Sequence, residues 1–213
     1  MKRPMMKFCG ITRREDAFAA VDAGAAAIGF VFAPSSPRAI TPDAARTIAR
    51  ALPPFVLRVG VFVDQGPSWL RYVAEEVGLD VAQLHGRETP SAACWWPRMI
   101  KALPREVDPM AAASEWPDDV TLLVDAATGD APGGTGQLAD WPAAAALART
   151  RRLVLAGGLT ADNVGEAIAI VRPYAVDVSS GIETRPGEKS AARMRAFADA
   201  VEAAWRRNDD DAG

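Results

Sequence analysis

Eight short apolar runs, each followed by a helical segment, predict that this chain of 213 residues is a single-domain α/β protein, a (β/α)8 TIM barrel. Three observations carry the expectation. The runs are too short for helices and alternate strictly with helix-like stretches, which is the pattern of a buried parallel sheet. They number eight, at about 27 residues per unit, tight but workable in a fold that typically has nearer ~250 residues. The last two runs end in Gly157-Gly158 and in Ser179-Ser180-Gly181. Small residues at a strand-to-helix turn leave backbone N–H groups open to an anion, and the turns after the seventh and eighth strands are the usual phosphate site of such a barrel.

In chain order, the expected strands are Lys7–Gly10, Ala27–Phe32, Leu57–Val63, Val81–Leu84, Met99–Leu103, Val120–Asp125, Leu153–Ala156 and Ala175–Ser179. Helix starts are signalled by Thr12-Arg13-Arg14-Glu15, which reads as a capping box. Thr41-Pro42, Gly66-Pro67 and Thr89-Pro90 each place proline at a first helical position. The fourth and fifth helices are the least regular, interrupted by Trp95-Trp96-Pro97 and by Asp108-Pro109. The last helix carries Met194, Phe197, Ala198, Val201 and Trp205 on one stripe, the face expected to pack on the barrel. Residues 1–207 make up the expected domain, and 208–213 read as a disordered acidic tail.

Composition narrows the function. The chain is 49% hydrophobic, enough for one large core. Its net charge of −3 equals the contribution of Asp209, Asp210 and Asp211, so the body is nearly neutral and has no basic excess to hold a nucleic acid. No apolar run is long enough to cross a bilayer, and Met1–Met6 lacks the apolar core of a signal peptide. Two cysteines, Cys9 and Cys94, give neither a disulfide framework nor a zinc site, and the expected location is the reducing cytoplasm. Without an evident apolar patch, a monomer is expected.

Reactive groups of such a barrel belong at the C-terminal ends of its strands. Those positions hold Cys9, Arg38, Asp64, His85, Asp125 and the two small-residue turns. Cys9 closes the first strand, where a nearby cation or helix N-terminus would make its thiolate a base. Cys94, beside two tryptophans, reads as a buried hydrophobe. Asp125 ends an apolar strand, and partial desolvation would suit it to donate a proton. The glycines of Gly133-Gly134-Thr135-Gly136 would let the next loop close over a ligand. Arg38 can offer a two-point fork to a carboxylate. His85, the only histidine, is as suited to a structural hydrogen bond as to a ligand contact, and it has no companions at metal-ligand spacing.

Lys7-Phe8-Cys9-Gly10-Ile11-Thr12, Ser36-Pro37-Arg38, Gln83-Leu84-His85-Gly86, Asp125 before the glycine loop, Leu155–Leu159 with Asn163-Val164, and Asp177–Glu183 with Pro186-Gly187 together resemble the phosphoribosylanthranilate isomerase family across the whole chain. The resemblance implies an Amadori rearrangement in tryptophan biosynthesis without metal or other cofactor. It assigns Cys9 as general base, Asp125 as general acid and Arg38 to the anthranilate part of the substrate. Beside these, Gly157, Gly158, Ser179, Ser180 and Gly181 are expected to hold the phosphate, and His85 and Asp177 are further candidates for substrate contact. The aromatic side chain of Phe8 departs from the aliphatic residue usual before that cysteine. The nearest rival is the histidine-pathway ProFAR isomerase, which uses two aspartates; Cys9 and the lack of an evident half-to-half repeat count against it. A phosphate-binding module without catalysis is the rival from another class, disfavoured because both proton-transfer positions hold competent side chains.

Overall fold

The computed structural model describes residues 3–93, 96, 98–125 and 141–210. The strands are β1 (Met5–Cys9), β2 (Ala27–Val31), β3 (Leu57–Phe62), β4 (Val81–Leu84), β5 (Met99–Ala102), β6 (Thr121–Asp125), β7 (Leu153–Ala156) and β8 (Ala175–Val178). They close into a barrel in sequence order, and every adjacent pair is parallel. The helices are α1 (Arg14–Asp22), α2 (Pro42–Ala49), α3 (Pro67–Val77), α4 (Pro90–Ala93), α5 (Pro109–Ser114), α6 (Trp141–Ala148), α7 (Val164–Val171) and α8 (Ala191–Asp210). None among the described residues is long and apolar enough to cross a membrane.

Period-two alternation gives each strand two roles. On β1, Phe8 points outward and meets Phe197 of α8 edge to face at 6.1 Å, so Lys7 and Cys9 point into the barrel. The interior floor is small and aliphatic, with Val59, Val81, Leu123 and Val154 among its residues. Cys9, Val31, Ala33 and Val61 form a second cluster nearer the C-terminal mouth. The much larger outer core lies between strands and helices. Phe8 is fully buried there, where an aromatic side chain fills space under α8.

Helix starts follow the sequence in part. Thr41 caps α2 by accepting from Ala44 N, with Pro42 in the first turn, and Gly66-Pro67 opens α3. Asp108-Pro109 proves to be a helix start rather than an interruption: the Asp108 carboxylate accepts from Met110 N and Ala111 N. The capping box at Thr12 does not form. Arg13 is the N-cap residue, and the Thr12 hydroxyl instead donates to Gly187 O at 2.5 Å. On α8, Met194, Phe197, Ala198 and Val201 are buried as expected, but Ala204 completes the stripe and Trp205 is half-buried. That helix runs through Asp210, so 208–210 continue the last element instead of leaving it at 207; 211–213 lie outside the described residues.

One feature was not expected. After β8, a 3-10 turn (Ser180–Ile182) leads into a two-stranded hairpin, β9 (Glu183–Arg185) and β10 (Glu188–Lys189), before α8. It brings Glu183 and Lys189, both buried, against the barrel mouth.

Candidate active site at the C-terminal mouth

Cys9 ends β1 inside the barrel and is 9% exposed. Its register partner across β2 is Gly29. A Cβ on Gly29 would stand 2.8 Å from Cys9 Sγ and 3.2 Å from Lys7 Cε, so glycine makes room for both side chains. Lys7 lies one pleat below and pairs with Asp177 on β8, Nζ to Oδ2 2.8 Å. Burial pushes the Cys9 thiol up, and the Lys7 ammonium opposes it without overcoming it. The cation that the sequence reading sought beside Cys9 is therefore present, but its pull on the thiol is weaker than that of burial. Burial works against the charge of Lys7, but Asp177 and then Cys9 outweigh it and hold its pKa above the ordinary value. Asp177 Oδ1 is buried and has no hydrogen-bond partner among the described residues.

Arg38 reaches the mouth from the β2–α2 loop. Gly10, at φ 71°, allows this: a Cβ there would lie 2.6 Å from Arg38 Cδ. The guanidinium is already held, since Nε and Nη2 donate to Glu183 Oε1 and Oε2 at 2.8 and 2.7 Å. Glu183 thus occupies the side of the fork formed by Nε and Nη2. The edge between Nη1 and Nη2 is a second bidentate face. Lys189 Nζ donates to Glu183 Oε1 at 2.7 Å and to Ser179 O and Oγ at 3.1 and 3.2 Å. Burial pulls the pKa of Lys189 down, against the pull of Glu183. For Glu183, burial is outweighed by the hydrogen bonds from Arg38 and Lys189, which keep its pKa below the ordinary carboxylate value.

The two small-residue turns lie side by side. Gly157 and Gly158 have φ of 91° and 62°, a conformation that side chains with a Cβ seldom adopt. Among the described residues, a Cβ on Gly158 would meet no atom within 4 Å, so the turn is open to them on that side. Asn163 fixes it, accepting from Thr160 N and donating to Gly158 O. Gly181 serves differently, because a Cβ there would collide with the Leu159 carbonyl. It lets the β8 turn pack directly on the β7 turn. Ser180 is exposed. The Ser179 hydroxyl is used within the protein, donating to Cys9 O at 3.1 Å and accepting from Lys189.

Asp125 ends β6, beside Ala156 of β7, and accepts from Arg105 Nη2 at 2.5 Å. Its side chain is 17% exposed. His85 follows β4 at the open mouth, with Nδ1 3.2 Å from Gln83 Nε2. The surrounding barrel wall desolvates the ring and pulls its pKa down even though part of its surface is accessible. Asp64 has a structural role: at φ 55° it accepts from Arg87 N, tying the β3 loop to the β4 loop. Glu88 joins the same loops, accepting from Asp64 N, Gly86 N and Lys101 Nζ. Cys94 and Gly133–Gly136 lie outside the described residues.

The mouth therefore gathers Cys9, Arg38, His85, Asp125, Asp177 and both turns at one end of the barrel. Sequence reasoning missed three participants. Lys7 carried a signal, being a charged residue within an inward-facing strand. Glu183 and Lys189 carried none, because the hairpin that buries them is too short for periodicity. Among the described residues, no three His, Cys, Asp or Glu side chains are arranged to hold a metal ion. A cavity of about 610 Å³ opens at the opposite end, lined by Arg3, Arg151, Arg172 and Tyr174 among others, across the barrel from these groups.

Comparison with known proteins points the same way. The family profile of N-(5'-phosphoribosyl)anthranilate (PRA) isomerase matches residues 6–200. The chain is 47% identical over 197 residues to the N-(5'-phosphoribosyl)anthranilate isomerase of Pelobacter propionicus, covering 90% of this chain and 92% of that one. Its fold matches the crystal structure of phosphoribosyl anthranilate isomerase from Thermotoga maritima with a TM-score of 0.83, at 40% identity over 94% of this chain and 99% of that chain. It matches equally, with the same TM-score and coverage at 39% identity, a structure of phosphoribosyl anthranilate isomerase in complex with reduced 1-(o-carboxyphenylamino)-1-deoxyribulose 5-phosphate.

Proposed function

Since this chain belongs to the N-(5'-phosphoribosyl)anthranilate isomerase family, we propose that the groups gathered at the barrel mouth divide the work of that reaction as follows. The enzyme is an aldose–ketose isomerase of tryptophan biosynthesis, converting N-(5-phospho-β-D-ribosyl)anthranilate to 1-(2-carboxyphenylamino)-1-deoxy-D-ribulose 5-phosphate. Asp125, as acid, protonates the furanose ring oxygen. The C1′–O bond breaks, and the nitrogen lone pair forms a protonated imine. Cys9, as base, removes the acidified C2′ proton, giving an enolamine. Transfer of the 2′-hydroxyl proton to C1′ gives the ketone. Acid and base each contribute roughly 10²–10⁴-fold in such steps.

The placement of Cys9 and Asp125 on the inner ends of β1 and β6, beside the paired glycine turns, is the observation that carries this reading. Lys7 supports it, since a thiolate forming on Cys9 gains the neighbouring ammonium. The phosphate sits on the backbone of Gly157, Gly158, Ser180 and Gly181, and Ser179 contributes through its backbone because its hydroxyl is engaged. Asp177 Oδ1, unpaired among the described residues, is an acceptor for a sugar hydroxyl, and His85 lies near enough to feel the charge of Asp177. Arg38 takes the anthranilate carboxylate on its Nη1/Nη2 edge. A cytoplasmic monomer that binds a small phosphosugar, and neither nucleic acid nor membrane, fits the near-neutral body and the two cysteines. Conversion of the anthranilate substrate, followed by its fluorescence in host-free preparations, tests the reading. Parent protein without activity would overturn it, and Cys9→Ser or Asp125→Asn with parental kcat would overturn the corresponding role.

A further inference from the structure

Glu183 makes four hydrogen bonds through its carboxylate while only 5% of its side chain is exposed. Oε1 accepts from Arg38 Nε, Lys189 Nζ and Gly187 N, at 2.8, 2.7 and 3.1 Å. Oε2 accepts from Arg38 Nη2 at 2.7 Å. Lys189 is fully buried and supplies the second positive charge, so the cluster of two cations and one anion lies against the mouth. Two parallel bonds from one face of a guanidinium fix both its plane and its direction. An arginine on a loop otherwise spreads over many rotamers, and ordering it on binding weakens affinity. Here the cost is met before ligand arrives, and the pairing leaves the Nη1/Nη2 edge for a second carboxylate.

We propose that Glu183, braced by Lys189, is a positioning residue that holds the Arg38 fork in the orientation that selects the planar carboxylate of the anthranilate ring. The inference rests on the reading of Arg38 given above and deepens it. Glu183 is not assigned a catalytic role, because its carboxylate is engaged by Arg38, Lys189 and Gly187 N. Its action is separable from the phosphate turn, for Lys189 also donates to Ser179 O and Oγ, bonds that do not involve Glu183.

The test is a double-mutant cycle on the full chain, with two ligands measured by calorimetry. One is the reduced 1-(o-carboxyphenylamino)-1-deoxyribulose 5-phosphate, which carries the ring carboxylate; the other is ribulose 5-phosphate, which lacks it. Glu183→Gln keeps the shape and removes the charge. It is expected to weaken the first ligand roughly 10- to 100-fold, the range for a charge-assisted contact, and the second by less than about threefold. In an Arg38→Ala background, Glu183→Gln should add less than about threefold for either ligand, because the two residues act as one unit. Glu183→Asp keeps the charge opposite Lys189 but is one methylene too short to span Nε and Nη2. It should repeat the pattern at smaller size, and it serves should the glutamine variant fail to fold. Losses that multiply in the cycle, or equal losses for both ligands, would overturn the positioning role while leaving Arg38 in place. An Arg38→Ala variant that binds the carboxylate ligand at parental strength would overturn the reading of Arg38 and the inference with it.

Discussion

Lys7 and Asp177 face each other across the β1–β8 ladder and form an ion pair inside the barrel, 2.8 Å from Nζ to Oδ2, with side chains 4% and 8% exposed. Both charges are removed from water, which is costly unless each is paired. The pair sits one pleat below Cys9, so its charge balance reaches the thiol directly. Asp177 binds Lys7 through one oxygen, and the other has no partner among the described residues.

Replacing Lys7 should therefore act on stability and on the thiol together. Lys7→Met leaves Asp177 alone in the interior, and removing one partner of a buried pair costs roughly 3–5 kcal/mol. Adding Asp177→Asn, which removes the stranded charge, should recover part of that loss. Urea unfolding of the three variants measures it. A Lys7→Met protein as stable as the parent, with the double variant no better, would show that the pair carries no net coupling.

The Cys9 thiol should titrate on the alkaline side of an ordinary cysteine, because burial outweighs the help from Lys7. The rate of alkylation by iodoacetamide rises as the thiolate forms. Its midpoint should lie above the ordinary value in the parent and move higher still in Lys7→Met. This readout names the group, whereas a bell-shaped kcat/KM profile looks the same with acid and base exchanged. A midpoint below the ordinary cysteine value would contradict the burial argument.

The glycines of the paired turns should separate binding from folding. Gly158→Ala places a methyl where no atom of the described residues lies within 4 Å, at a φ that costs about 1–2 kcal/mol. Its KM should rise while the fold persists. Gly181→Ala must instead push the β7 and β8 turns apart, since its methyl meets the Leu159 carbonyl. That variant should lose both phosphate affinity and thermal stability. Gly181→Ala melting with the parent would remove the packing role assigned to it.

The sequence marked β4 and β7 to the residue, because each is a short run that alternates between two buried environments and ends at a turn residue. Cys9, Asp125, His85 and the glycine turns were legible for the same reason: strand ends fix them at the mouth. What escaped depends on contacts distant in sequence. Thr12 reads locally as a cap, yet its hydroxyl goes to Gly187, 175 positions on. Arg38 reads as a free fork until the hairpin brings Glu183 to it across 145 positions. Glu183 and Lys189 look like surface charges, and they are buried because each satisfies the other. Resemblance named the base and acid, but not the cations and carboxylates that hold them.

At the opposite end of the barrel, Arg58 and Asp80 make a pair whose effect should be purely one of stability. Asp80 Oδ2 accepts from both Arg58 N and Nε, and Oδ1 accepts from Nη2, each at 2.8 Å. The Arg58 hydrogen bond holds the Asp80 carboxyl below its ordinary value, against the effect of partial burial. A carboxyl with a depressed folded pKa favours the folded state at every pH above its unfolded value, and that advantage fades as pH falls through the folded one. With side chains 32% and 25% exposed, solvent screening limits the gain to about 1 kcal/mol. Asp80→Asn should thus lower unfolding free energy by about that amount at neutral pH. The gap between parent and variant should stay level down to the ordinary aspartate value of 3.8 and close below it. Because the pair lies at the N-terminal ends of β3 and β4, kcat and KM should not change. Urea titrations of both proteins at a series of pH values read the gap directly. A gap that widens with acid would reverse the sign of the linkage and show that the ionised form of Asp80 destabilises the fold.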